Sequence, residues 1–320
     1  MAAYLVTGGA GFIGSHLAGA LVRQGDRVRV LDDLSGGTHE NLAHLEVGAA
    51  GSGAPVEFVR GSVADPVAVS RACEGVQGVF HHAALVSVPR SVERPEESFE
   101  SNVTGTFQVL EGARRAGVRR VVFASSSAIY GEDERIPKDE SMPPCPASPY
   151  AGDKLSGETL LATWSRTYGL STVALRYFNV YGPRQADDSP YSGVIAIFAR
   201  RLLAGEPVTI HGDGEQTRDF VFIDDVVRAN LLAMDAALEG SAVFNVGTGS
   251  SVAIRALHGE MARLAGCGAE PRFAPGRAGD VRHSRASIDL IRARLGFEPR
   301  VPREEGLGAT LDWYRLRPRA

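Results

Sequence analysis

The 320-residue chain reads as an α/β protein with a doubly wound parallel sheet and a smaller α/β lobe toward its C-terminal half. Two observations predict this class. A glycine-rich turn, TGGAGFIG at 7–14, stands between a short apolar run and a helical stretch. Short apolar runs then alternate with helically spaced segments as far as Ala124, the pattern of right-handed crossovers with helices on both faces of a parallel sheet.

The first unit is Tyr4 to Val6 as strand, the glycine turn, Ser15 to Gln24 as helix, and Arg27 to Leu31 as a second strand ending at Asp32. Gly8, Gly11 and Gly14, with Gly9 completing G-x-G-x-x-G, let the backbone turn tightly and approach a pyrophosphate. The N–H groups that open the helix, at Phe12 and Ile13 among others, point with the positive dipole end toward the phosphates. Asp32 can accept hydrogen bonds from ribose hydroxyls and would repel a 2′-phosphate, so the pattern is a Rossmann fingerprint that favours NAD over NADP. A glycine turn alone would be weak. The strand before it, the helix after it and the acid at the next strand end supply the context it needs.

Farther along, 35–38 and 48–55 read as polar, glycine-rich surface loops, and Val56 to Arg60 as a strand. Val67 to Cys73 has helical spacing, Gly78 to His81 is a short buried strand, Phe99 to Ala116 is an amphipathic helix and Arg120 to Ala124 the next strand. Ligands of such sheets bind at the carboxyl ends of the strands. There the chain places small or polar residues: Ala83 and Ala84 after one strand, and Ser125, Ser126 and Ser127 after another. The dinucleotide domain is expected over 1–178 with a return at about 220–247, and 179–320 as mainly a substrate-binding lobe.

A hydrophobic fraction of 44% and a charged fraction of 22% suit a globular enzyme, and a net charge of −4 with scattered arginines gives no footprint for nucleic acid or an anionic membrane. Cys73, Cys145 and Cys267 lie far apart without C-x-x-C spacing, against a disulfide framework or zinc site and in keeping with a reducing cytoplasm. No run approaches the ~20 apolar residues of a spanning helix, and the start carries no export signal. The eight histidines show no metal-ligand grouping, so no metal is expected.

The chemistry centres on SPYAGDK at 148–154, which sets Tyr150 and Lys154 four apart on one helix face. An isolated phenol, with a pKa near ~10, is a poor base, but a neighbouring ammonium and a cationic nicotinamide favour phenolate. Ser126 can hydrogen-bond the same substrate oxygen. Tyr-x-x-x-Lys also occurs as an ordinary surface turn, and a serine triplet as a plain loop; their combination with the fingerprint is what specifies the site.

With these residues in place, the chain resembles the extended short-chain dehydrogenases/reductases of the nucleotide-sugar epimerase and dehydratase group. The resemblance covers nearly its whole length through TGGAGFIG at 7–14, HHAA at 81–84, SNVTGT at 101–106, SSSAIYG at 125–131, SPYAGDK, RYFNVYGPRQ at 176–185, GDGEQTRDFVFIDD at 212–225, NVGTG at 245–249 and GRAGDVRHS at 276–284. It implies that Asn102 supports the active-site helix and its water, that Tyr177 lies near the nicotinamide, and that Asn179 touches the substrate diphosphate or sugar. Arg218 and Arg277 resemble diphosphate contacts, for which a planar guanidinium is suited, although unaided they read as loop arginines. Thr209 lies in the strand expected beside the nucleotide base. Asp224 and Asp225 read simply as first-turn carboxylates of a helix. Where relatives often carry an acid facing the adenine, this chain has Gly61-Ser62, leaving Ser62 for that contact.

Dehydratases of the group resemble Thr-Asp-Glu where this chain has Ser126-Ser127-Ala128, and decarboxylases usually place a glutamate there. Lacking those carboxyls, the site is expected to oxidise one carbinol, at C4, and re-reduce it on the opposite face, with NAD retained through turnover. SVPRSVERP at 87–95 resembles bacterial epimerases acting on UDP-N-acetylglucosamine, and Ser284 aligns with a position that is bulky in epimerases limited to unacetylated sugars. Asn179, in place of threonine, counts against UDP-glucuronate. The expected activity is UDP-hexose 4-epimerisation; a UDP-glucuronate 4-epimerase, or a nucleotide-sugar reductase or dehydratase, is the alternative. The helices at 99–116 and 152–167 resemble a four-helix dimer contact, so a homodimer is expected.

Overall fold

The structure, a computed structural model, describes residues 1–187, 192–276 and 281–317. Its core is one eight-stranded sheet. In chain order the elements begin β1 (Ala3–Thr7), α1 (Phe12–Arg23), β2 (Arg27–Asp32), β3 (Val47–Ala49), β4 (Val56–Arg60), α2 (Pro66–Cys73) and β5 (Gly78–His81). There follow α3 (Val88–Glu93), α4 (Pro95–Phe99), a π-helical turn (Glu100–Thr104), α5 (Gly105–Arg115), β6 (Arg120–Ser126), α6 (Pro149–Tyr168) and β7 (Ser171–Tyr177). With β8 (Asn179–Tyr181), α7 (Val194–Leu203), β9 (Thr209–His211), β10 (Thr217–Arg218), β11 (Phe220–Phe222), α8 (Ile223–Asp235) and β12 (Ser241–Val246), the strand order is β12-β7-β6-β5-β1-β2-β4-β3.

β1 pairs in parallel with β2 on one side and β5 on the other, so the winding reverses beside it and a crevice opens at its carboxyl end. The central strands are apolar and sealed: Leu5, Val6, Val30, Leu31, Val79, Phe80, Val121 and Val122 are fully buried. Two features depart from the sequence-based expectation. Val47–Ala49, read as the edge of a glycine-rich loop, pairs with β4, because an edge strand needs only one neighbour's ladder and little intrinsic propensity. The helix expected over 99–116 is interrupted at its start by the π turn, which carries the buried Asn102.

The chain divides into two compact units, 1–129 with 146–176 and 227–244, and 130–145 with 177–226 and 245–320. In the second, β8 pairs with β11, and α9 (Ile254–Ala265), α10 (Asp289–Leu295) and α11 (Arg303–Leu316) complete its helical part. Tyr181 packs edge-on against Phe220 and Phe222. Asp225 does more than start a helix: it is 1% exposed and accepts from the N–H groups of Arg300 and Val301, pinning the approach to α11. No helix among the described residues is long and apolar enough to cross a membrane.

Candidate active site

The glycine turn is shaped for close approach. Gly8 has φ +67°, and a Cβ there would sit 2.7 Å from the Ala83 amide nitrogen. At Gly14 a Cβ would meet the Gly8 carbonyl oxygen at 2.2 Å. α1 starts at Gly11 with no side-chain cap and no acid in its first turn, so the N–H groups of Phe12 and Ile13 face outward uncapped, as an anionic ligand requires. The buried Asp32 carboxylate accepts from Ala10 N–H at 2.9 Å and Leu34 N–H at 2.8 Å, tying its own strand end to the turn. Burial pushes this acid above its ordinary range, against the pull of those two backbone donors. Thr38 N–H and Asn41 Nδ2 both donate to the Ala10 carbonyl, so the 35–38 loop is fastened to the same turn. These residues fit a dinucleotide.

At the next strand, Thr7 Oγ1 accepts from the N–H groups of His82 and Ala83, each at 3.2 Å, and contacts His81 Nδ1 at 2.8 Å. The far ring nitrogen of His81 meets Thr106 Oγ1 at 3.1 Å, and Thr106 in turn donates to the Asn102 carbonyl at 2.5 Å. Because Thr106 spends its proton on that carbonyl, His81 must donate from Nε2 and accept at Nδ1. Burial pushes His81 down to about 3, consistent with a permanently neutral ring.

α6 is capped by Ser148, which accepts from Ala151 N–H, and by Ser91 of α3, whose Oγ accepts from Tyr150 N–H at 3.1 Å. The Tyr150 phenol lies beside the Ser126 side chain. Burial raises the phenol above its usual value and the Ser126 side chain lowers it. One turn on, Lys154 is 2% exposed and its Nζ donates to the Ala124 carbonyl at 2.8 Å. Desolvation pushes the ammonium down to about 8, while the Asp153 charge raises it. Ser126, Tyr150 and Lys154 are thus brought together at the end of β6. Ser125 differs: its hydroxyl points inward and donates to Glu158 at 2.5 Å, and Glu158 is closed by a buried ion pair with Arg176 at 2.8 Å. Ser127 opens a 3-10 turn that runs to Tyr130. Ser62 accepts from Ala64 N–H, and Asp65 caps α2.

In the second unit Asn179 starts β8, and its N–H and Nδ2 both donate to the Asp219 carbonyl. Tyr177 is buried at the end of β7, and Thr209 is exposed on β9. Arg218 Nη1 donates to the carbonyls of Thr217 and Arg282. The Ser284 N–H donates to the Thr217 carbonyl at 3.0 Å, which sets Ser284 beside the same short strand. Arg277 lies outside the described residues.

Sequence reasoning passed over several residues that hold these groups. Asp219 is fully buried and accepts from Thr248 N–H and Oγ1, Gly249 N–H and Ala286 N–H, joining two of the strings noted in the sequence to the segment just after a third. Asp153 and Ser98, 2.6 Å apart, were equally silent. No group of three or more metal-binding side chains occurs among the described residues.

Comparison with known proteins agrees with this geometry. Residues 4–247 match the NAD dependent epimerase/dehydratase family. A UDP-glucose 4-epimerase of Mycolicibacterium smegmatis is 44% identical over 313 residues, covering 97% of this chain and 98% of that one. Two solved structures each cover 98% of both chains. The UDP-glucose 4-epimerase of Thermotoga maritima with UDP-glucose has a TM-score of 0.91 at 42% identity. The UDP-N-acetylglucosamine 4-epimerase of Methanobrevibacter ruminantium M1 with UDP-N-acetylmuramic acid has 0.92 at 36%. The glycine cradle, the acid at the end of β2 and the Ser126–Tyr150–Lys154 cluster therefore have a common explanation: this chain is an NAD-dependent member of the epimerase/dehydratase family.

Proposed function

We propose that the protein is a 4-epimerase of UDP-hexoses, interconverting UDP-GlcNAc and UDP-GalNAc, UDP-Glc and UDP-Gal, or both pairs. One observation carries the reading. Lys154, one turn beyond Tyr150, is fastened to β6 two residues before Ser126, and the neighbouring positions, Ser127 and Ala128, offer no carboxyl for dehydration or decarboxylation. The relatives named above support a UDP-sugar as substrate.

NAD, when bound, accepts a hydride from C4 and returns it. Everything else falls to side chains. The Tyr150 oxygen takes the proton of the C4 hydroxyl, Ser126 Oγ holds that oxygen in line, and the Lys154 ammonium stabilises the phenolate. After the 4-keto sugar turns over, Tyr150 gives the proton back to the oxygen on the inverted centre. Arg218 and Arg277 anchor the diphosphate while the sugar rotates, and Asn179, Thr209 and Ser284 line the nucleotide and hexose. Asp32, Ser62, Ala83, Ala84, Ser125, Asn102 and Tyr177 are assigned to the cofactor side.

Phe99 and Phe107 are 56% and 40% exposed, and the Phe107 ring packs edge-on against Trp164 of α6. We assign this aromatic face to a homodimer, which a solution mass by light scattering checks.

The test is to incubate the purified protein, without added NAD, with UDP-GlcNAc, UDP-glucose and UDP-glucuronate separately and to resolve products by NMR. A C4 epimer is expected from at least one of the first two. No epimer from any sugar, even with NAD supplied, removes the assignment in favour of a reductase or dehydratase.

A further inference from the structure

α6 carries two buried acids with different surroundings. Glu158 is neutralised by Arg176. Asp153, 7% exposed, is not closed by any arginine or lysine ion pair among the described residues; its Oδ2 accepts from Ser98 Oγ at 2.6 Å and Asn102 Nδ2 at 3.3 Å. A buried carboxylate held by two neutral donors keeps a net charge whose field falls on whatever lies nearby. The next residue is Lys154.

The other groups facing Lys154 are neutral. Tyr150 comes from the same helix, with its ring centre 5.8 Å from Nζ. β6 supplies the Ala124 carbonyl and the Phe123 ring, with its centre at 4.9 Å. The end of β5 and the residue after it supply His81 and His82, both pushed by burial down to about 3 and therefore uncharged. Asp153 also shares in fixing Asn102, whose Nδ2 donates to the Leu85 carbonyl at 3.2 Å as well as to the carboxylate. A carboxylate can only accept, so Nδ2 faces it, and Oδ1 is left to accept from Leu85 N–H at 2.8 Å.

We propose that Asp153 is a positioning residue of the reaction: its carboxylate is the counter-charge that keeps the Lys154 ammonium protonated in a site with little water, and it shares with Leu85 the hold on Asn102. This rests on reading Ser126, Tyr150 and Lys154 as the catalytic centre. It adds a residue that acts through Lys154 without touching substrate.

The chain has two lysines, Lys138 and Lys154, so NAD-loaded protein labelled at lysine Cε gives two NMR signals, assigned with Lys154→Met. In Asp153→Asn the Lys154 titration midpoint should move to lower pH by about half a unit or more. Lys138 should stay in place, and the basic limb of the pH–rate profile should move with Lys154. Asp153→Ser, smaller and also neutral, should do the same. A midpoint unchanged in either folded, NAD-loaded variant overturns the proposal. Loss of the folded, loaded state in both overturns it as well, leaving Asp153 a structural anchor only. The NMR midpoint needs no substrate: a shifted midpoint in a protein that epimerises nothing upholds the electrostatic role and removes only the reaction assigned above.

Discussion

Lys154 lies one helical turn beyond Tyr150, its ammonium 5.8 Å from the phenol ring centre and fastened by a 2.8 Å hydrogen bond to the Ala124 carbonyl. The lysine is therefore held by the strand that ends in Ser126, and the phenol is placed by the helix. Strand and helix together set the distance between ammonium and phenol.

Tyr150→Phe keeps the ring and its packing and deletes the oxygen proposed to exchange protons with substrate. Turnover should fall by about 10²–10⁴, with bound NAD unchanged when released by denaturation and measured by chromatography. Retained turnover would remove Tyr150 as the base.

Lys154 shows how function and stability oppose each other here. Its affinity for a proton falls from 10.5 to about 8 on burial, so the unfolded chain binds the proton more tightly and the folded state bears a cost. That cost is fully present below about 8 and vanishes as pH rises to 10.5. Lys154→Met should lose turnover yet melt a few degrees higher near pH 6, the gain shrinking between these two values. Melting curves across that range, showing no gain at pH 6 or one that grows with pH, would contradict it.

The glycines of the turn and of α6 make a controlled pair. Gly14→Ala drives a Cβ to 2.2 Å from a backbone oxygen, and neither partner is a flexible side chain, so the protein should lose retained NAD or fail to fold. Gly152→Ala, two positions before Lys154, meets nothing within 4 Å and should stabilise α6 by ~0.5–1 kcal/mol. Denaturant titration alongside NAD content reads both.

What the sequence made legible was local. The fingerprint, Asp32 at a strand end and Tyr150 four before Lys154 each declare themselves within a few residues, because turn geometry and helix spacing are short-range constraints. The fastenings were not legible. Thr7 meets His81 across 74 positions and Ser98 meets Asp153 across 55, and these pairs exist only once the sheet has brought their strands and helices together. Asp219 is the same case. Flanked by Arg218 and Phe220 it looks like any loop acid, yet its four donors come from segments 29 to 67 residues away. A helix-period pattern likewise hides the π turn at Asn102, since one extra residue barely disturbs the spacing.

Ser284 offers the sharpest handle on the sugar. Its main-chain N–H is committed to the Thr217 carbonyl, and its side chain makes no part of that pairing, so a larger residue leaves the backbone bridge between His283 and Thr217 in place. If this side chain borders the C2 substituent, Ser284→Tyr fills the space an N-acetyl group needs and leaves a hydroxyl room. Overpacking of this kind costs about 1–3 kcal/mol, so kcat/KM for UDP-GlcNAc should drop by about ten- to a hundredfold, with UDP-glucose changed less than threefold. Parallel assays on the two sugars separate this from general damage, which lowers both equally; equal losses would place Ser284 away from the C2 pocket and return the question of substrate choice to the 87–95 segment.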